Sequence, residues 1–543
     1  MRRHTAILLL ATTLGFPISA PAQTYVDHAT QAVSAGMIRS HVEFLADDAL
    51  EGRAPSTRGG DLAAKYIIAQ FTRLGLEPAG DSGTYFHRVP LVRFTPTASL
   101  QLGGEVFKQG DDFVLEPKRW EPSVGLEGPV VFVGYGIVAP EYGWNDYAGA
   151  DVKGKIVAVL VNDPGLRDST IFHGRAFTYY GRWTYKYEEA ARQGAAGVLL
   201  IHTDESATYP WGTVRGSLAG TLVRLETPPT SLKAVGWIQR DAAARAFAAA
   251  GQDLKALMDR AWKRGFTAVP IDAPVKATLA QQITRTSTSN LLGRLPGEGP
   301  LAKEAVLVGA HYDHLGIGPA VEGDSIYNGA RDDAAGVAEV LSIAEALVRG
   351  GVKTKRSIVF AAFAAEEAGL VGSNALVERP FMPLRDLAAV INLDGANLFG
   401  RTRDVSALGA DQSSLGGALE AAARAERLRV SENPQESERG AIYRSDHFPF
   451  MRAGVPALSF EPGTEFVGRS DDWYRKTLAE WTATRYHRPQ DEPGPWYVYD
   501  GAVQETRVAL RVAQLAADAS AQPTWNLDSE FRSAGENRVK SRQ

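Results

Sequence analysis

The chain has 543 residues, of which 44% are hydrophobic and 22% charged, so it is too long for one hydrophobic core and predicts a folded protein of two domains. Its formal net charge of −5 provides no basic face for nucleic acid. Because there is no cysteine, disulfides and thiolate metal ligands are excluded, and any metal must be held by His, Asp and Glu.

The first 22 residues predict an export signal. Arg2 and Arg3 precede an apolar run over residues 6–18, and the APA sequence at 20–22 has the small-residue pattern of a cleavage site. We expect cleavage after Ala22, a periplasmic or secreted mature protein, and no stable membrane span after cleavage. An N-terminal membrane anchor is the alternative, although the apolar run is short for a span.

The remaining chain divides into four predicted segments. Residues 23–115 predict helices followed by short β-runs, and residues 116–273 predict a smaller α/β module. His173 and His202 in this module stand apart from any acid cluster, so both are interpreted as structural. Alternating strands and helices are predicted over 274–520, followed by a frayed polar tail over 521–543.

The stretch from residue 305 to residue 336 carries the first chemical signal. An apolar β-run ends at His311, and an Asp332–Asp333 pair precedes an apolar helical repeat. Imidazole and carboxylate are ligands that zinc accepts, and Asp313 is placed to orient the His311 imidazole. The alternative is an ordinary strand–loop–helix unit with solvated acids.

Three later segments repeat this arrangement. The strand over 357–362 leads to Glu366 and Glu367, a second strand presents Asp394 at its end, and a loop carries His487. Because parallel α/β sheets bind ligands beyond the carboxyl ends of their strands, we expect these side chains to meet. The predicted fold class is therefore α/β.

The assembled set contains two imidazoles and three carboxylates: His311, Asp332, Glu367, Asp394 and His487. One shared carboxylate with one imidazole and one acid on each side makes two equivalent half-sites, which indicates two Zn²⁺ ions per chain. Glu366 is adjacent to a ligand without being needed as one, so it is free to act as a general base.

Five motifs resemble the M28 family of co-catalytic zinc aminopeptidases: GAHYDHLG, NGARDDAAG, AAEEAGLVGS, INLDGAN and YHRPQDE. The stretches LADDALEGR, SDHFPF and AGVPALSF resemble a bacterial, secreted branch of that family. Residues 116–273 resemble the protease-associated (PA) domain that interrupts many members. The resemblance implies a zinc-exopeptidase fold with a mixed, largely parallel central sheet flanked by helices, in which 23–115 and 274–520 form the peptidase domain.

Position by position, the resemblance implies a ligand set. Asp332 would bridge the two metals and be followed by a cis peptide. His311 and Asp394 would hold one zinc, and Glu367 and His487 the other.

The resemblance also implies roles around the ligands. Glu366 matches the general base of the family, Asp313 its His-orienting acid, and Tyr486 a tyrosine that binds the developing oxyanion in some members. His447 is interpreted as a residue that either lines the substrate pocket or lies behind the ligands, and His314 as a loop residue.

Arg331 departs from the family pattern, because relatives often have a small residue at this position. Its guanidinium is expected either to crowd the site or to point to solvent.

The function these observations indicate is hydrolysis of N-terminal residues from peptides with a free N-terminus. The alternatives are a PA-containing carboxypeptidase, a glutaminyl-cyclase-like acyltransferase, and a non-catalytic receptor-like relative. The acyltransferases use a single zinc and the receptor-like proteins lose ligands, whereas this chain has all five. No sequence feature indicates an oligomeric state or a preferred N-terminal residue.

Overall fold

The computed structural model describes residues 20–540 apart from residues 219, 228–229 and 433. Most of the predicted export signal, residues 1–19, lies outside the described residues. Within this part of the chain, no helix combines the length and the apolar character that crossing a membrane requires.

The strands in chain order are β1 (Glu77–Pro78), β2 (Phe86–Phe94), β3 (Thr97–Leu102), β4 (Glu105–Phe107), β5 (Phe113–Pro117), β6 (Ser123–Phe132), β7 (Val138–Ala139), β8 (Trp144–Asn145), β9 (Ile156–Leu160), β10 (Gly197–His202), β11 (Leu222–Leu225), β12 (Ala234–Gln239), β13 (Val269–Ala280), β14 (Thr284–Leu295), β15 (Ala305–His311), β16 (Gly316–Val321), β17 (Asp324–Tyr327), β18 (Ser357–Phe363), β19 (Leu387–Leu393), β20 (Asp404–Leu408), β21 (Arg429–Val430) and β22 (Ala457–Glu461).

The helices are α1 (Ala20–Ala32), α2 (Ala35–Leu45), α3 (Arg58–Arg73), α4 (Trp183–Arg192), α5 (Asp204–Ala207), α6 (Trp211–Leu218), α7 (Arg240–Ala249), α8 (Leu254–Ala261), α9 (Ala335–Arg349), α10 (Val371–Glu378), α11 (Leu415–Ala425), α12 (Pro434–Arg439), α13 (His447–Arg452), α14 (Trp473–Thr484), α15 (Asp500–Asp518) and α16 (Arg532–Lys540).

The larger sheet has the strand order β11-β2-β14-β18-β15-β19-β22-β20-β21, with β1 also paired to β14. The four central strands β18, β15, β19 and β22 are parallel, whereas β2 and β14 pair antiparallel to their neighbours. At the other edge, β20 pairs antiparallel with β22 and parallel with the short β21. The fold is therefore mixed α/β, as predicted, with a parallel centre.

Helices cover both faces of this sheet. α9 and α15 pack on β15 from one side, and α10 and α13 contact β14 and β22 from the other. Residues 335–347 of α9 are all buried, because its sequence is apolar on nearly every side and the helix is enclosed by strands and other helices. This enclosure fixes the start of α9, where the Asp332–Asp333 pair lies.

The smaller sheet has the order β4-β3-β13-β6-β9-β10-β12-β5. Its strands begin at Thr97 and end at Ala280, so the predicted module boundaries at 116 and 273 fall inside β5 and β13. Before residue 116, β3 pairs with β13, which is distant in sequence, and β4 pairs with β3. Local patterning does not reveal a distant partner such as β13. β11 leaves this unit and pairs with β2 of the larger sheet.

The predicted frayed tail is wrong for residues 521–540. Phe531 is buried, α16 follows it, and Trp525 Nε1 donates a hydrogen bond of 3.0 Å to the Gly454 carbonyl. Because most residues of this segment are polar, its composition did not predict that Trp525 and Phe531 pack against the domain. These two aromatic side chains hold the short terminal segment in place.

Candidate metal centre

Neighbouring parallel strands bring the predicted acids and histidine to one edge of the larger sheet. His311 ends β15, Asp394 directly follows β19, and Glu366 and Glu367 lie in the turn after β18. β18, β15 and β19 are adjacent, so their carboxyl ends share one site.

Two further segments reach the same edge. Asp332 lies in the turn Ala330–Ala334 that leads into α9, and the Asp332–Asp333 peptide is cis, at the position that the resemblance implied. His487 lies in the loop after α14.

Asp332 contacts a histidine with each carboxylate oxygen. Its Oδ1 is 3.2 Å from His311 Nε2, and its Oδ2 is 3.3 Å from His487 Nε2. Asp394 Oδ1 is 3.7 Å from the same His311 nitrogen, and Glu367 Oε2 is 3.1 Å from the His487 nitrogen. The structure thus brings the five sequence-predicted ligand residues together, with Asp332 between the two histidines.

His314 belongs to this cluster, contrary to its interpretation as a loop residue. It is fully buried, and its Nδ1 is 2.7 Å from Glu367 Oε1. One ligand atom each from His314, Asp332 and Glu367 lies within 4.8 Å of the others, as is also true for His311, Asp332 and Asp394. Sequence reasoning set His314 aside because its partners come from other segments, although the HYDH motif contained the signal.

The donor atoms fit zinc. Two ligand atoms about 2.0–2.2 Å from one tetrahedral zinc lie roughly 3.3 Å apart, and three of the nitrogen–oxygen distances above are 3.1–3.3 Å. His314 Nε2 is buried without a hydrogen bond. A buried polar atom left in this way needs a partner, and a cation held in the cluster would give the ring one.

The pKa shifts of the two histidines also indicate that the cluster stabilises positive charge. Burial alone would lower the pKa of His487, but Glu367 and Asp332 raise it to about 11. Burial would likewise lower the pKa of His311, which Asp332 and Asp394 hold well above its usual value. With three carboxylates converging, the site stabilises a cation at each imidazole position.

Glu366 is set apart from Glu367 by its environment. Burial and the neighbouring carboxylates of Glu367 and Asp394 raise the pKa of Glu366 well above its usual value. For Glu367, in contrast, the histidines outweigh burial and lower the pKa to about 2. One carboxyl of the pair has a high proton affinity, as a general base needs, and the other stays ionised, as a ligand needs.

Asp313 contacts the backbone rather than the imidazole. Its Oδ1 accepts a hydrogen bond of 3.0 Å from the Glu366 N–H, and its Oδ2 one of 3.4 Å from the Glu367 N–H. His311 Nδ1 lies 3.1 Å from the Asp313 backbone carbonyl and 3.9 Å from its carboxylate. Asp313 thus orients His311 through its main chain, while its side chain holds the turn that carries the two glutamates.

The remaining predicted site residues differ in placement. Tyr486 is 44% exposed, and its ring stacks on His487 with centroids 3.9 Å apart. His447 is fully buried, and burial lowers its pKa to about 4. A fully buried side chain does not line an open substrate pocket, which leaves a position behind the ligands as the interpretation of His447.

Neither expectation for Arg331 is correct. The side chain is buried, with its Nε donating to the Ala396 carbonyl at 3.1 Å and its guanidinium 4.5 Å from the centroid of the Trp481 ring. Its partners lie 65 and 150 residues away in sequence. The residues next to Arg331 in sequence therefore gave no indication that its side chain is buried. Arg331 fastens the Asp332 turn to the segment after β19.

Sequence reasoning missed two residues that hold the site loops. Arg53 is fully buried and donates to four carbonyls, including those of Tyr312 and Gly329, each at 2.9 Å. Asp491 is also buried and accepts the Arg331 and Asp332 N–H groups at 3.1 Å. The LADDALEGR and YHRPQDE motifs contained both residues without revealing their partners.

The smaller unit does not add to this cluster. Within the described residues, groups of three or more potential ligands occur only at the two places named above. His202 is buried, with its Nε2 3.1 Å from the Tyr209 carbonyl, and His173 is exposed.

Residues 290–503 match the sequence model of Peptidase family M28. This range contains every residue of the cluster. Residues 290–503 belong to the M28 peptidase family.

Relatives of the M28 domain carry related names. The chain is 44% identical over 89 residues to a "Probable zinc metalloprotease" of Pyrenophora tritici-repentis, a stretch that covers 16% of this chain and only 20% of that protein. It is 23% identical to "Aminopeptidase YwaD" of Bacillus subtilis, covering 87% of this chain and 88% of that protein. A solved structure, an aminopeptidase from Aneurinibacillus sp. strain AM-1, matches with 20% identity and a TM-score of 0.47, covering 92% of this chain and 97% of that one.

Proposed function

We propose that this chain is an exported di-zinc aminopeptidase that hydrolyses N-terminal residues from peptides. The observation that carries the proposal is the placement of Asp332, with one oxygen toward His311 and the other toward His487. The M28 match and the names of the relatives support metallopeptidase chemistry.

Two half-sites share Asp332 in this proposal. His311 and Asp394 complete one, and Glu367 and His487 complete the other, with His314 as a further candidate on the Glu367 side. A bound zinc would supply Lewis acidity and lower the pKa of water.

The protein residues supply proton transfer and orientation. Glu366, whose pKa is raised, accepts a proton from the attacking water and delivers it to the leaving amine. Asp313 fixes the backbone of Glu366 and Glu367. Tyr486 is available at the rim to donate to the developing oxyanion.

The acidic character of the site favours an exopeptidase acting at the amino end. The acidic surroundings of the site can hold the α-ammonium of a substrate. The smaller unit, whose sequence resembles a PA domain, shapes access to the site rather than performing chemistry. Export depends on the predicted signal over residues 1–22.

A matched substrate panel tests the function. Aminoacyl anilides and short peptides should be cleaved, whereas the same compounds with an acetylated N-terminus should not. Cleavage of N-acetylated peptides at their carboxyl end would instead indicate a carboxypeptidase. Cyclisation of N-terminal glutamine without hydrolysis would indicate an acyltransferase.

A further inference from the structure

The smaller unit touches the peptidase domain directly at the turn that carries Glu366 and Glu367. β11 pairs antiparallel with β2, from Leu222 opposite Phe94 to Leu225 opposite Leu91. Val223 and Leu225 pack, together with Ala368, against the apolar cluster formed by Val89, Leu91, Ala365, Val371 and Ala375. This contact therefore packs directly against the segment that continues the turn.

Arg224, between Val223 and Leu225, makes the polar part of this contact. Its Nη1 donates to the Ala368 carbonyl at 3.2 Å and to the Val223 carbonyl at 2.9 Å. Ala368 directly follows Glu367. The guanidinium thus holds the first residue after the two glutamates.

The same guanidinium is anchored in the smaller sheet. Its Nε and Nη2 donate to the two carboxylate oxygens of Glu116, at 3.1 and 2.8 Å, and Lys118 Nζ lies 2.6 Å from Glu116 Oε1. The Glu116 side chain is 6% exposed and that of Arg224 is 22% exposed. Burial would raise the pKa of Glu116, but Arg224 and Lys118 outweigh it and lower the pKa to about 2, so the anchor stays ionised.

We propose that Arg224 is a positioning residue that connects the smaller unit to the turn of Glu366 and Glu367. The proposal rests on the proposed function for its kinetic consequence, although not for the contact itself. Asp313 accepts hydrogen bonds from the two glutamate N–H groups, and Arg224 donates one to the carbonyl of the next residue, Ala368.

These two contacts matter because a misplacement of about 1 Å at a catalytic group can lower the reaction rate by roughly 10²-fold. Within the turn, the Glu366 carbonyl accepts hydrogen bonds from the Gly369 and Leu370 N–H groups at 2.7 and 2.8 Å. If Arg224 is removed, we expect these bonds to open more often and Glu366 to spend less time in position.

The test is Arg224→Met in the full-length protein, with Arg285→Met as the matched control. Arg285 pairs with Glu226, one residue beyond β11, at 2.7 Å, and no hydrogen bond of its side chain reaches the 366–370 turn. For Arg224→Met we expect kcat to fall on the order of 10-fold with KM and zinc content unchanged, the pattern of a lost transition-state interaction. Hydrogen–deuterium exchange at Gly369 and Leu370 should accelerate, whereas the control should match wild type in both measurements.

A double-mutant cycle shows whether Glu116 acts through Arg224. Glu116→Gln should lower kcat by about 3-fold, and the double variant should be no worse than Arg224→Met, because residues in one network are non-additive. Fully additive losses, or a kcat and exchange rate for Arg224→Met equal to those of Arg285→Met, would overturn the proposal.

The two proposals fail in different ways. If wild type hydrolyses no peptide, the proposed function is wrong, while the exchange measurement still decides the contact. If wild type is active and Arg224→Met exchanges faster without losing kcat, Arg224 stabilises the turn only and the positioning role is wrong.

Discussion

Glu366 and Glu367 are adjacent and chemically identical, yet the structure surrounds them differently. Glu366→Gln should keep both zincs and near-normal KM while kcat falls about 10²–10⁴-fold, the usual range for loss of a general base. Glu367→Gln should weaken one zinc, because a neutral amide is a poorer ligand than a carboxylate, and added zinc should restore part of its activity. Steady-state kinetics with metal analysis on the same samples measures both effects.

The outcomes separate the two roles. Loss of zinc in Glu366→Gln with retention in Glu367→Gln would reverse the assignment. Full activity and metal content in both variants would mean that neither glutamate takes part in the reaction.

Arg53 provides a prediction about stability. Arg53→Met removes the guanidinium that donates to the carbonyls of Leu45, Tyr312, Asn328 and Gly329. Of these, the Gly329 carbonyl keeps a hydrogen bond from the Ala334 N–H. We expect a loss of at least about 3 kcal/mol in the free energy of unfolding, measured by urea titration.

The control is Arg58→Met. The Arg58 side chain is 70% exposed and pairs with Glu51 at 3.1 Å, and such a surface pair contributes about 0–1 kcal/mol. Equal stabilities of the two variants would contradict the role of Arg53 in holding the site loops.

At the scale of elements, the close approach of α9 to β19 fixes the distance between Asp332 and Asp394. A Cβ on Gly336, in the first turn of α9, would lie 2.2 Å from the Leu393 carbonyl oxygen. Gly336→Ala should therefore push α9 away from β19, destabilise the fold by about 1–3 kcal/mol, and weaken zinc binding.

The matched change is Gly417→Ala in α11, where an added Cβ meets nothing within 4 Å. This variant should gain about 0.5–1 kcal/mol, because alanine has the lower entropic cost in a helix. Urea titration and zinc analysis compare the two. A Gly336→Ala protein as stable as Gly417→Ala would show that α9 and β19 have room to move apart.

Elements with a local signature were predictable from sequence. The apolar runs ending at His311, before Glu366 and at Asp394 are buried strands, and the position of ligands at strand ends follows from the geometry of parallel sheets. Strands β3 and β4 were predictable as β-runs, but their sheet was not. The pairing of β3 with β13 joins Leu102 to Val275 and Thr97 to Ala280, so it depends on the whole fold.

At the scale of the whole molecule, the sequence motifs predicted which residue types meet at the site, but not which residues they contact. Arg53 donates hydrogen bonds to residues 259 and 276 positions away. Arg331 is buried by segments that cannot be identified from the sequence around it. A charged residue that is buried by distant carbonyls and rings looks in sequence like any surface arginine.

Metal should contribute to the stability of the whole molecule. A ligand that binds only the folded state raises its stability by mass action, so removing metal with a chelator should lower the unfolding temperature and zinc should restore it. Asp332→Asn should reduce this zinc-dependent shift more than His311→Ala, because Asp332 contributes to both half-sites. Calorimetry with and without zinc measures the change in unfolding temperature. Equal changes in the two variants would contradict a carboxylate shared by both half-sites.

Zinc titration of the metal-free protein, followed by hydrolysis of an aminoacyl anilide, tests the shared di-zinc site most directly. Because two half-sites share Asp332, maximal activity should require about two equivalents of zinc per chain. Activity that reaches its maximum at one equivalent, with no further change as a second binds, would contradict the di-zinc aminopeptidase.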